Sequence, residues 1–251
     1  MRYFLELSYR GASFHGWQIQ PGDSSVQETL EDAISTLVRR PVSVTGAGRT
    51  DAGVNAHSMT AHFDLDEGFD PEPDASFLRA IDSICGPDIA IRGIRRVRDD
   101  AHARFDARER SYRYFVTTAK NPFARGLAWK APATLDFDAM NEAAALLVGR
   151  RDFTSFAKLH GNAKTNICDL RRAAWHRIDA DAWYFEIASD RFLRNMVRAV
   201  VGTLADVGRG KMKPEDVMAI LDRRDRCAAG TSMPAEALFL WSVDYPEDIF
   251  L

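Results

Sequence analysis

Asp51 lies within GAGRTDAGVNAH, the segment from Gly46 to His57. Gly46, Gly48 and Gly53 permit positive φ and a close approach of backbone to a ligand. Arg49 stands two residues before the aspartate. A carboxylate placed this way can act as a nucleophile. The alternative is a hairpin loop in which Asp51 closes an Asx-turn. The segment is not G-x-G-x-x-G, and without a lysine it is no P-loop. A second candidate lies in HARFDARERSYRY, residues 102–114. Tyr112 begins a strand beside arginines, where a ring can stack on a base. Tyr114, two residues on, reads as core. The third lies in RFLRNMVRAVVGTLADVG, residues 191–208, which reads as one helix. Arg191, Arg194 and Arg198 would share a face of it. The first two can be solvated. Arg198 sits among Val197, Val200 and Val201 and requires an anionic partner, for which Asp51 is the natural candidate.

Composition narrows the chemistry. Apolar residues make up 46% and charged residues 27%, as expected of a folded chain with a real core. Cys85, Cys168 and Cys227 form no C-x-x-C pair, and the six histidines are scattered, so no metal site is expected. The net charge is −3, yet 27 of the 33 basic residues are arginine, and eight of these fall between Arg92 and Arg113. Arginine suits phosphate and base recognition, although a solvated basic surface accounts for the same count. The opening MRYFLELSYRG carries Arg2, Glu6 and Arg10, unlike a signal peptide, and no stretch reaches the length of a membrane span. A cytoplasmic protein with no membrane partner is expected.

The elements that must position these residues follow from periodicity. RYFLELSY alternates, placing Tyr3, Leu5, Leu7 and Tyr9 on one face of a strand. SVQETLEDAISTLVRR reads as a helix with a Ser25–Glu28 capping box. PVSVTGAG, HSMTAHFDL and a segment within DIAIRGIRRV read as strands, with a short helix near Asp74–Ser83. The order β-α-β-β-α-β is the split βαβ pattern. It recurs in the second half: strand SYRYFVTTA, helix DFDAMNEAAALLVG closed by Gly149, strands LRRAAWHRI and AWYFEIAS, the helix ending at Gly208, a helix near Pro214–Leu221 and strand LFLWSVDY. Joining the two sheets edge to edge would hide two open edges. The expected fold is α+β. Two similar ferredoxin-like halves, residues 1–105 and 106–251, form one mainly antiparallel sheet with helices on one side.

GAGRTDAGVNAH, HARFDARERSYRY, GRRDFTSF, RFLRNMVRAVVGTL and LFLWSVDYP resemble, in order, the motifs of the tRNA pseudouridine synthase A (TruA) family. The resemblance runs from YRGASFHGWQIQP to VDYP, nearly the whole chain, and GRTDAGV is its most specific segment. It implies conversion of uridine to pseudouridine at positions 38 to 40 of the tRNA anticodon stem-loop, without a cofactor, by a homodimer with a cleft between its two halves. It makes Asp51 the catalytic aspartate and Tyr112 the residue that stacks on the target base. Arg49 would help extrude the target nucleotide, and Arg198 would pair with the aspartate. Two positions depart from the pattern. Asn55 stands where many members have His, and it cannot titrate near neutrality. Ala237 replaces a usual glycine, at a turn. Two other readings compete. A non-catalytic RNA-binding module would share the fold, but its aromatic motif is missing. A hydrolase could pair Asp51 with Asp64 or Asp66.

Overall fold

A computed structural model describes residues 1–66, 71, 75–158 and 164–251. The chain divides into two compact units: Met1–Arg108 together with Leu240–Leu251, and Glu109–Phe239.

In the first unit, β1 (Arg2–Tyr9) lies between β3 (Asn55–Asp64) and β4 (Ile89–Val97), antiparallel to both. The register sets Leu5 opposite Ala61 and Ile94. Alternation works as the sequence predicts: Tyr3, Leu5, Leu7 and Tyr9 are all buried. So are Leu30 and Ile34 of α1 (Val26–Val38). Ser25 caps α1 by accepting the Glu28 N–H at 3.2 Å. The strand expected over PVSVTGAG shrinks to β2 (Thr45–Gly46), paired with β3. The helix expected from Asp74 is α2 (Ala75–Cys85); Asp74 itself lies outside the described residues. Phe4 points to the other face of β1, where Val97, Ala101, Ala103 and Ile249 enclose it with Tyr245 and Phe250. The end of the chain therefore covers the back of the first strand.

In the second unit the sheet order is β5 (Glu109–Thr117), β9 (Ala182–Ser189), β8 (Ile167–Arg177), β7 (Gly149–Asp152). These neighbours are antiparallel, and β6 (Trp129–Lys130) runs parallel to β5. Periodicity does not reveal β6 and β7, which are two and four residues long. α3 (Phe137–Leu147) begins at an Asp136 cap that accepts the N–H groups of Asp138 and Ala139. It ends at Val148, and Gly149, with φ +114°, opens β7. α4 (Met196–Gly208) and α5 (Asp216–Arg223) follow in this unit, and β10 (Leu238–Asp244), most of which belongs to the first unit, ends the order of strands. The protein is α+β with mainly antiparallel pairing, and the split βαβ order occurs in both halves of the chain.

α4 ends at Gly208, as expected. A Cβ there would lie 2.5 Å from the Met140 sulfur, so the residue is also small to let α4 approach α3. The left-handed residue after α4 is Gly210, at φ +70°.

Candidate active site

The Asp51 loop is pinned on both sides. On one side, Gly46 lies against the Trp17 indole, where a Cβ would meet the ring at 2.5 Å. The Ala47 N–H donates to the Thr60 carbonyl at 2.8 Å, and the Trp17 N–H donates to the Thr50 carbonyl at 3.2 Å. The Thr50 hydroxyl shares a buried 2.7 Å hydrogen bond with the Tyr9 hydroxyl. On the other side, a tight turn closes from the Val54 N–H to the Asp51 carbonyl at 3.1 Å. Gly53, its third residue, takes φ +79°, which a side chain would disfavour. Asp51 is therefore held by backbone on a fixed turn. It is half-buried rather than fully exposed, because Gly16 packs on the loop: a Cβ there would lie 2.7 Å from the Thr50 carbonyl oxygen. Arg49 is exposed.

Asn55 is buried, and its side-chain oxygen accepts the Gly11 N–H at 2.8 Å. Gly11 sits so close that a Cβ would approach the Val54 carbonyl to 2.2 Å. The amide thus fixes the turn after β1 against the start of β3, a structural use that requires no titration.

Trp17, Thr45, Gly46, Gly48, Arg49 and Arg104 line a cleft of about 180 Å3. Arg104 is brought there by the loop after β4. The Ala103 N–H donates to His62 Nδ1 at 3.1 Å, and the Tyr245 hydroxyl donates to the Ala103 carbonyl at 2.5 Å. Burial, reinforced by the positive charge of Arg2, pushes the His62 pKa down to about 4. A neutral imidazole is what the Ala103 N–H needs as its acceptor. Sequence spacing gives no sign that residue 104 would meet the 46–49 segment.

The second unit carries the other two candidates. Tyr112 faces Ile187 across β5 and β9 and is half-buried, while Tyr114 is fully buried. The Tyr112 ring meets the Phe192 ring edge-on at 5.1 Å. This corrects the expectation for residues 191–208: the helix begins only at Met196, after Asn195 in the left-handed conformation at φ +66°. Phe192 precedes the helix and packs on Tyr112. Arg191 and Arg194 share no helix face with Arg198.

Arg198 donates from Nε to the Met233 carbonyl at 2.5 Å, and the Met233 N–H returns a 3.2 Å bond to the Arg198 carbonyl. The segment carrying Met233 is clamped on α4. A Cβ at Gly202 would lie 1.8 Å from the Thr231 carbonyl oxygen, and the Gly230 N–H donates to the Thr203 hydroxyl at 2.9 Å. Arg49 and Asp51 share one loop of the first unit; Tyr112 and Arg198 belong to β5 and α4 of the second.

Much of the Arg92–Arg113 cluster serves the fold. Arg92 bonds Ser8, Arg95 lies over the Phe250 ring at 3.8 Å, and Arg98 pairs with Asp100 and Asp248. Arg110 holds the Asp190 carbonyl and Arg113 pairs with Glu186. Among the described residues, no group of three His, Cys, Asp or Glu side chains could hold a metal ion. No helix among them is long and apolar enough to cross a membrane.

Comparison with known proteins places the chain as a whole. Residues 143–246 match the family model described as tRNA pseudouridine synthase. The chain is 53% identical to a tRNA pseudouridine synthase A of Bacteroides thetaiotaomicron, covering 99% of this chain and 92% of that protein. It is 51% identical to one of Porphyromonas gingivalis, covering 100% and 99%. To one of Bacillus licheniformis it is 37% identical, covering 98% and 99%.

Proposed function

Because the chain belongs to the tRNA pseudouridine synthase A family and isomerises uridine to pseudouridine in tRNA, we propose that it acts at positions 38 to 40 of the anticodon stem-loop, with Asp51 as the essential catalytic group. The observation that carries this reading is the Asp51 turn. Its backbone is fixed on both sides by Thr50 and Val54, and its neighbour Arg49 lines an open cleft. A fixed backbone restricts where the carboxylate can lie, which suits a catalytic group.

The reaction breaks the N1–C1′ bond, turns the uracil, and joins C5 to C1′. The proton leaves C5 and one is gained at N1, so atoms balance and no oxidant, reductant or external energy enters. No cofactor is needed. The Asp51 carboxylate can attack the sugar, attack the base, or assist a glycal route. Tyr112 offers its ring to the target base, with Phe192 braced against its edge. Arg49 helps the nucleotide leave its stack, and Arg198 supplies the cation that pairs with Asp51. Arg198 suits that role because its Nε–H is already tied to Met233, which fixes where the guanidinium points. A homodimer working in the cytoplasm, where tRNA is modified, completes the reading.

The test is position-resolved mapping of pseudouridine in transcripts carrying uridine at 38, 39 and 40 and elsewhere. Pseudouridine confined to those three positions supports the proposal. Product at other positions of the same tRNA, with none at these, refutes it.

A further inference from the structure

We infer that Arg104 and Phe105, with Gly48 and Arg49, form a subsite for a nucleotide that flanks the target uridine. The phosphate lies on the two guanidinium groups and the base on the Phe105 ring. The inference rests on tRNA as substrate but not on the role given to Asp51.

Phe105 is 74% exposed, although the loop that carries it is tightly built. The His102 N–H donates to the Asp106 carboxylate at 2.7 Å, and the Phe105 and Asp106 N–H groups both return to the His102 carbonyl. The Arg104 N–H donates to His102 Nδ1 at 3.1 Å, and Ala103 is tied to His62 and Tyr245. The Phe105 ring touches the His102 ring at 4.2 Å and has the Arg104 guanidinium 5.8 Å from its centre, yet most of its surface stays open. A fixed loop that holds a large apolar ring in water gains little for the fold. It does preorganise a flat face for a partner. With RNA as substrate, the flat apolar partner is a base.

Gly48 supplies an independent observation. Its neighbour Gly46 is required by Trp17, and Gly53 by its positive φ. Gly48 has neither need: its φ is outside the left-handed region, and an added Cβ would meet nothing within 4 Å. The fold leaves this position free to carry a side chain, yet it carries none. It lines the same cleft as Arg49 and Arg104. A bare backbone beside Arg49, in a cleft that Arg104 also lines, suits close approach of a sugar–phosphate chain.

The experiment measures tRNA affinity at two salt concentrations, alongside melting temperature and sedimentation, for Phe105→Ala, Phe105→Leu, Phe105→Trp, Gly48→Ala and Arg104→Gln. Loss of base stacking should weaken binding roughly tenfold or more in Phe105→Ala and Phe105→Leu, and Phe105→Trp should bind like the parent. Arg104→Gln should weaken binding and flatten its salt dependence. Gly48→Ala should weaken binding with melting temperature unchanged or raised. Parent-like affinity in Phe105→Ala and Gly48→Ala overturns the subsite. So does Phe105→Leu binding as well as the parent, or a change of oligomeric state with affinity unaltered. Asp51→Asn serves as the separating control. If it retains turnover, the catalytic assignment fails, whereas the affinity losses above stand or fall by themselves.

Discussion

Two tyrosines two residues apart on β5 separate chemistry from stability. Tyr114 is fully buried, and burial pushes its hydroxyl pKa up. Tyr114→Ala should cost about 3–5 kcal/mol of stability, as a core truncation does, measured by denaturant unfolding. Tyr112 is half-buried, so Tyr112→Ala should lose turnover with little change in melting, and Tyr112→Phe should keep tRNA binding because its stacking face survives. The reverse pattern would exchange the two roles. His62 gives a pH signature. Its folded pKa of about 4 lies below the ordinary 6.5, so the unfolded chain binds the extra proton between those values. Stability is therefore complete above pH 6.5 and falls as pH drops toward 4, by about 3 kcal/mol in total. Partly buried His102 is shifted the same way by burial and adds to the slope. Asp64, lowered mainly by its Arg2 hydrogen bond, acts only below its ordinary 3.8, outside this window. His62→Asn can keep an acceptor for the Ala103 N–H without titrating, and should flatten the stability profile between pH 6.5 and 4. An unchanged profile would assign the slope elsewhere.

The long helix shows what periodicity can and cannot reveal. Val200, Val201, Leu204 and Val207 recur at helical spacing and are buried, so α4 was legible. Its start was not. Residues 191–195 keep the same apolar–basic rhythm, but Asn195 adopts φ +66°, and only packing makes that conformation worthwhile: its side chain donates to the Ser232 hydroxyl at 2.6 Å. Gly202 was invisible for a related reason. Within the helix it looks like a weak position, while its use is the approach of Thr231 from 29 residues away in sequence. Gly202→Ala should therefore cost more than overpacking usually does, about 3 kcal/mol or more, and lower the melting temperature. If melting stays at the parent value, the 230–233 segment yields easily and does not hold Arg198. The Arg198 tether predicts a graded kinetic series. Arg198→Lys keeps a cation but loses the planar fork and the Nε–H bond to Met233, so it should retain more single-turnover activity than Arg198→Met. Equal rates for parent and Arg198→Met would leave the arginine a structural tether only.

At the scale of the whole chain, the order of elements and the family motifs were readable, whereas the return of Leu240–Leu251 to the first unit was not. That return depends on long-range contacts, such as Phe250 edge-on to Phe4 and Tyr245 bonded to Ala103, which no local pattern encodes. The same limit hid the cleft between the 46–49 segment and Arg104. Five motifs could still identify the family because each is a local run of residues, readable without the fold; the isomerisation they point to exchanges no electrons. Turnover should accordingly survive dialysis against a chelator, provided polyamine keeps the tRNA folded; loss of turnover under that control would reveal a metal requirement. The most direct measurement is single-turnover pseudouridine formation by Asp51→Asn, with tRNA affinity and circular dichroism recorded on the same preparation. The expected result is no product, with affinity and fold like the parent, because the turn from Asp51 to Val54 is closed by backbone and does not need the carboxylate. Product formed at a rate near that of the parent would contradict the assignment of Asp51 as the catalytic group.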